Sequence, residues 1–167
     1  MSKQVLVYIC SPYKAVFNAL AQNTAVRGDI VLSNAYALAI GISKVAAKSI
    51  QEQSTKQVNY IPFSPVLYFK EIYPSFNPLG YAEVEEKILE ECLEILKRCD
   101  LVFVVNSPYT HQSKGILKEL ECARSLGKEI IFEGEGKSML PEIRDVCNYE
   151  EWLRANGFCQ IVKGEKQ

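Results

Sequence analysis

Two short stretches of this chain, residues 4–10 (QVLVYIC) and 101–105 (LVFVV), are apolar almost throughout instead of alternating with polar residues. A strand reads that way when both its faces are covered, which is the situation of a parallel strand inside an α/β sheet. The intervening sequence changes to helical spacing. Over residues 17–51 it is Ala-rich, with Ala35, Leu38, Ala39, Ile42, Ala46 and Ile50 three or four residues apart on one stripe. Gly28 and Asp29 divide this region into two expected helices, Asp29 being an acceptable N-terminal residue of the second.

The rest of the chain continues the alternation. Residues 58–63 are β-branched and aromatic and end at Pro62 and Pro65, as a second strand would. Residues 81–98 form an amphipathic helix with Val84, Ile88, Leu89, Cys92, Leu93 and Leu96 inward and a mainly acidic, solvated outer face. After the strand at 101–105, residues 116–126 read as a helix stopped by Gly127, and 129–132 as a fourth strand. Gly134 and Gly136 mark a loop, 141–144 a helical turn, 149–155 a short helix ended by Gly157, and 158–162 a last strand. Strands alternating with helices through short loops predict an α/β three-layer sandwich, flavodoxin-like or Rossmann-like, with a mostly parallel sheet of four to five strands. A single domain over 1–163 and a frayed tail at 164–167 are expected.

Composition narrows the function classes. A chain of 167 residues with 48% hydrophobic content buries one good core. Its net charge of -1, with no run of Lys or Arg, gives no electrostatic case for a nucleic-acid polymer or an anionic membrane. No apolar stretch approaches the roughly 20 residues that cross a bilayer, and residues 1–4 lead straight into a strand, so a cytoplasmic location is expected. The six cysteines form no C-x-x-C pair and sit mostly in apolar periodic segments, as reduced structural thiols do. With one histidine, His111, neither a metal nor a cofactor is expected.

Ligands of open α/β folds gather at the carboxyl edge of the sheet. The loops expected there are Ser11-Pro12-Tyr13-Lys14, after the first strand, and Asn106-Ser107, after the third, with Ser113 and Gly115 opening the next helix. Ser113 is a natural N-cap whose hydroxyl could also meet an anion, Gly115 permits close approach to the backbone, and Lys14 offers a positive charge. Glu119 lies four residues after Gly115 and four before Ala123, so a carboxylate shares one helix face with two small residues. Spacing leaves two readings of Glu119 open, an inward functional carboxylate or a solvated helix former. Residues 65–80, where four prolines and glycines interleave with Tyr68, Phe69, Tyr73 and Phe76, are equally open: a lid or partner surface, or a connector whose rings pack on its own core.

The run Ser113-x-Gly115-x-x-x-Glu119-Leu120-x-x-Ala123, together with Tyr8-Ile9-Cys10-Ser11-Pro12-Tyr13-Lys14, resembles the nucleoside 2-deoxyribosyltransferase superfamily. Within it, the likeness is greatest to the 2′-deoxynucleoside 5′-phosphate N-hydrolases and related bacterial and phage proteins. The resemblance implies cleavage of an N-glycosidic bond or deoxyribosyl transfer, with Glu119 as nucleophile and Tyr8 orienting sugar and carboxylate. Ser11, Tyr13, Lys14, Asn106, Ser113 and Gly115 would bind the substrate and its phosphate. Serine at 113 favours a phosphorylated ligand, since the acidic residue common there in nucleoside-specific transferases would repel a phosphate. The partners implied are a small nucleotide or nucleoside and further copies of the chain, as homodimer or higher homo-oligomer, through residues 65–80 and 149–157.

The chain departs from the family's pattern at Cys92, where a second acid is expected, at Glu121, where a small residue is usual, and in a longer loop at 106–112. Asp100 begins its strand and is expected at the opposite edge of the sheet. A non-catalytic nucleotide-binding module on the same fold is therefore the alternative. A flavin binder is disfavoured by the lack of a Ser/Thr-rich phosphate loop after the first strand.

Overall fold

The computed structural model describes residues 1–22 and 28–133. The expected loop at Gly134 and Gly136, the helices at 141–144 and 149–155, the strand at 158–162 and the tail lie outside the described residues. Among the described residues, four strands form one all-parallel sheet in the order β2-β1-β3-β4: β1 (Lys3–Cys10), β2 (Val58–Phe63), β3 (Leu101–Val104) and β4 (Glu129–Phe132). The apolar runs are the two inner strands. Val7 to Cys10 and Leu101 to Val104 are buried without a break, which requires cover on both faces.

The helices are α1 (Lys14–Gln22), α2 (Gly28–Glu52), α3 (Pro65–Ile72), α4 (Tyr81–Arg98) and α5 (Lys114–Ser125). Right-handed crossovers place α1 and α2 on one face of the sheet and α4 and α5 on the other, with α3 packed against α2. In keeping with this, α1 packs on α2 and α4 on α5. The expected stripe of α2 is the buried one, with Ala35, Ala39, Ala46 and Ile50 inaccessible to solvent and Leu38 and Ile42 nearly so. No helix among the described residues is long and apolar enough to cross a membrane.

Three boundaries differ from expectation. The first helix opens at Lys14 instead of 17, so Lys14 belongs to a helix and not to the preceding turn. The second begins at Gly28 itself, ahead of Asp29. The largest difference is α3, which occupies the first half of the segment read as irregular. Ser64 caps it by accepting a hydrogen bond from the Leu67 N–H, and Pro65 takes the first helical position, where a missing N–H costs nothing. Replacing the buried Ser64 by alanine is expected to lower stability by about 1 kcal/mol, read as a shifted urea midpoint with an unchanged slope.

At the other helix end, Gly127 does stop α5. Its φ of +65° lets the Lys128 N–H reach the Ala123 carbonyl at 3.0 Å and its own N–H reach Arg124 at 3.0 Å, the paired bonds of a left-handed helix terminus. Asp100 stands at the amino edge of the sheet, where its carboxylate accepts the Leu6 N–H at 2.7 Å and its own N–H reaches the Leu6 carbonyl at 2.9 Å. It ties β3 to β1 on the side away from the loops that bear the candidate site. Strand β2 is one edge of the sheet formed by the described residues. Its Val58 and Tyr60 N–H groups turn outward to Thr55 Oγ1 and Ser54 Oγ, and Pro62, two residues on, has no N–H to offer.

Candidate functional site

Strand order reverses between β1 and β3, and at that switch point a cavity of about 470 Å³ opens over the carboxyl end of β1. Its walls come from the start of α1, from α3, from α4 and from the first turns of α5. Glu119 is part of the lining although it is only 8% exposed. The α5 stripe Ile116, Glu119, Leu120 and Ala123 faces inward, so the carboxylate is on the buried face of its helix and not on the solvated one.

The Tyr8 hydroxyl, 111 residues away in sequence, donates to Glu119 Oε1 at 2.7 Å. Tyr8 is fully buried in β1 and supports the carboxylate from behind, outside the cavity lining. Burial pushes the Glu119 carboxyl up to about 7, opposed by the Tyr8 hydroxyl and the Cys10 thiol, which favour the charged form. Burial, with the Glu119 charge beside it, raises the Tyr8 phenol well above its ordinary value, so Tyr8 remains a neutral donor.

Ser11, Tyr13, Lys14, Ser113 and Gly115 all line this cavity. Ser113 caps α5 by accepting from the Ile116 N–H at 3.3 Å. Gly115 is not demanded by packing, since an added Cβ would meet only Ser113 Oγ, at 3.8 Å, and its φ is not positive. The Ser11 hydroxyl is 2.8 Å from that of Ser43, whose proton goes to the Ala39 carbonyl, leaving Ser11 as the donor of the pair. Tyr13 donates to the Phe76 carbonyl at 3.1 Å and its ring stacks on Phe76 with centroids 4.1 Å apart. The aromatic segment 73–80 therefore packs on the core through Phe76 while also forming a cavity wall. Asn106 lies outside the lining, its N–H held by Glu133 Oε2 at 2.7 Å.

Several residues were not singled out from the sequence. Glu85 on α4 pairs with Lys14 at 2.5 Å, and Lys114 and Lys118 also line the cavity. A signal for Glu85 existed: Tyr81, Glu85, Ile88 and Cys92 are spaced four, three and four apart, which makes one helix face, and all four line the cavity. Cys92, where a second acid was expected, is a buried thiol in that wall, its proton held up to higher pH by burial and the Glu119 charge. Glu133 is a second buried carboxylate, at the end of β4, pushed up to about 7 by burial against the pull of the Asn106 N–H. Its position directly after an apolar strand was the only local sign. Among the described residues no group of three His, Cys, Asp or Glu is placed to hold a metal ion.

Fold and site together define an all-parallel α/β protein with a buried carboxylate in a half-polar cavity at its switch point. A scan against models of known protein families finds none that matches the chain, and a search of curated proteins finds no match either.

Proposed function

We propose that this protein cleaves the N-glycosidic bond of a nucleoside 5′-monophosphate or nucleoside, by hydrolysis or deoxyribosyl transfer, with Glu119 as nucleophile. The observation that carries this reading is the Glu119 carboxylate, buried in the cavity wall with one oxygen fixed by Tyr8. In the chemical step one Glu119 oxygen bonds to C1′ as the C1′–N bond breaks, and the base departs with the electron pair and takes up a proton. Water, or a second base, then displaces the carboxylate from C1′. The oxocarbenium character of both transition states is what a desolvated carboxylate stabilises. Ser113 and Glu119 are about 9 Å apart along the axis of α5, which leaves room for a pentose between a phosphate near Ser113 and a reacting carbon at Glu119. The likeness of both motifs to the nucleoside 2-deoxyribosyltransferase superfamily supports the same assignment.

The test is mass-spectrometric detection of free base from a panel of ribo- and deoxynucleosides and their 5′-monophosphates, with wild type and Glu119→Ala. Release by the wild type alone supports the proposal; no release from any member rejects it. Gly115→Ala is a second expected outcome: thermal stability unchanged or raised by up to about 1 kcal/mol, with nucleotide affinity reduced because the new methyl group takes cavity space. An equal affinity by calorimetry would place the ligand elsewhere.

One observation favours a second reading, a nucleotide-binding module without efficient chemistry. Cys92 supplies no acid for the leaving base, and the neighbouring Glu91 is turned to the Tyr73 hydroxyl at 2.5 Å. Nucleotide binding that survives Glu119→Ala, with no turnover in either protein, would select it. Homo-oligomer formation belongs to the same proposal and is supported by Tyr68, Ile72 and Leu79, exposed in the 65–80 segment. A monomeric mass by light scattering would remove it.

A further inference from the structure

We propose that Glu85 is a specificity-determining residue: its carboxylate occupies Lys14 as a resident stand-in for the anionic group of a ligand, so that a phosphorylated ligand binds by displacing it. The inference rests on the reading above only in taking Lys14 as a phosphate partner. Lys14, at the start of α1, and Glu85, on α4, both line the cavity, and their charged ends meet at 2.5 Å. Lys114 and Lys118 line the same cavity from α5 and form no ion pair among the described residues. The cations available to an anion therefore differ in state. Those on α5 are open to it, whereas Lys14 is already neutralised from the opposite wall.

Two physical consequences follow from that placement. A phosphate drawn towards Ser113 and Lys114 meets the Glu85 carboxylate as a like charge unless Glu85 leaves Lys14. A neutral nucleoside meets no such opposition. The exchange is feasible because the side chains of Lys14 and Glu85 are 49% and 39% exposed, so the released carboxylate has water to turn into. Screening by that water also limits the effect. Losing this exposed pair, together with the residual repulsion of the nearby Glu85 carboxylate, should reduce phosphate affinity by about five- to tenfold.

The pair also bridges α1 and α4 beside the Tyr13 contacts with Phe76 and Tyr81. Anion binding at Lys14 would therefore loosen one of the ties across the cavity mouth while leaving the aromatic ones in place. A purely structural tie makes a different prediction: removing it lowers stability and leaves ligand charge preference untouched.

The test compares Glu85→Gln with the parent, both carrying Glu119→Gln so that turnover does not interfere, by calorimetry with 2′-deoxynucleosides, their 5′-monophosphates and inorganic phosphate. Monophosphates should bind Glu85→Gln about five- to tenfold more tightly, with nucleoside affinity unchanged, and the gain should vanish when Lys14→Gln is added. No gain, or an equal gain for nucleosides and monophosphates, would overturn the proposal. If neither nucleosides nor nucleotides bind, the reading of the site as a nucleotide pocket fails separately, and inorganic phosphate still decides the role of Glu85. A larger phosphate-induced rise in the melting temperature of Glu85→Gln than of the parent supports it, and equal rises, or none in either, reject it.

Discussion

Replacing Glu119 by glutamine is expected to lower base release by at least about a thousandfold in kcat, with substrate affinity nearly unchanged. Glutamine has the shape of the carboxylate, and its side-chain oxygen still accepts from the Tyr8 hydroxyl, so the cavity wall should keep its form. What is lost is the carboxylate that, on the proposed reading, would bond C1′. On the proposed reading, the wild-type protein should also show a pH signature. A nucleophilic Glu119 would attack only when ionised, and burial pushes its carboxyl up to about 7, so kcat/KM should climb as pH rises through that value. Activity within tenfold of wild type in Glu119→Gln would remove Glu119 from the chemistry.

The second large effect concerns stability and runs in the opposite direction with pH. Burial pushes the Glu119 carboxyl of the folded chain from an ordinary 4.5 up to about 7, so between these values the folded state keeps a proton that the unfolded chain has released. Stability from this group is therefore greatest below about 4.5, falls as pH rises, and is lost above about 7. The difference amounts to about 3 kcal/mol. Glu119→Gln removes the dependence, so urea unfolding should show the variant gaining about that much on the wild type between about pH 4 and pH 8. Glu133 is present in both proteins and cancels from the comparison. Parallel pH profiles would mean that Glu119 is ionised in the fold without penalty. The protonation state that the proposed chemistry would require is then the one the fold tolerates least, a tension common where function and stability compete.

Much of the fold was legible because its signals are local. The unbroken apolar runs at 4–10 and 101–105 are the two inner strands, the α4 stripe is buried where its spacing put it, and Gly127 ends α5 in the left-handed conformation that glycine favours. The start of α3 was also written locally, as Ser64 followed by Pro65, but the prolines and aromatic rings downstream made the whole segment read as irregular. The site was legible only in part. Spacing placed Glu119 between small residues without deciding which way it faced, and burial under β1 decides it. Its partnership with Tyr8 and the Lys14–Glu85 pair depend on packing between elements far apart in sequence, which no local periodicity encodes.

The outer edge of β2 limits how another chain could pair with this sheet. An open parallel sheet ordinarily presents a row of unused donors at its margin, a template for strand addition and for runaway aggregation. Here two consecutive outward donors, at Val58 and Tyr60, are already spent on Thr55 and Ser54, and the third position is the imino acid Pro62. That margin cannot zip onto a strand from another molecule through these positions. Any assembly on this side of the protein would therefore rely on side chains instead of shared backbone ladders, and β-augmenting peptides should find no purchase along it.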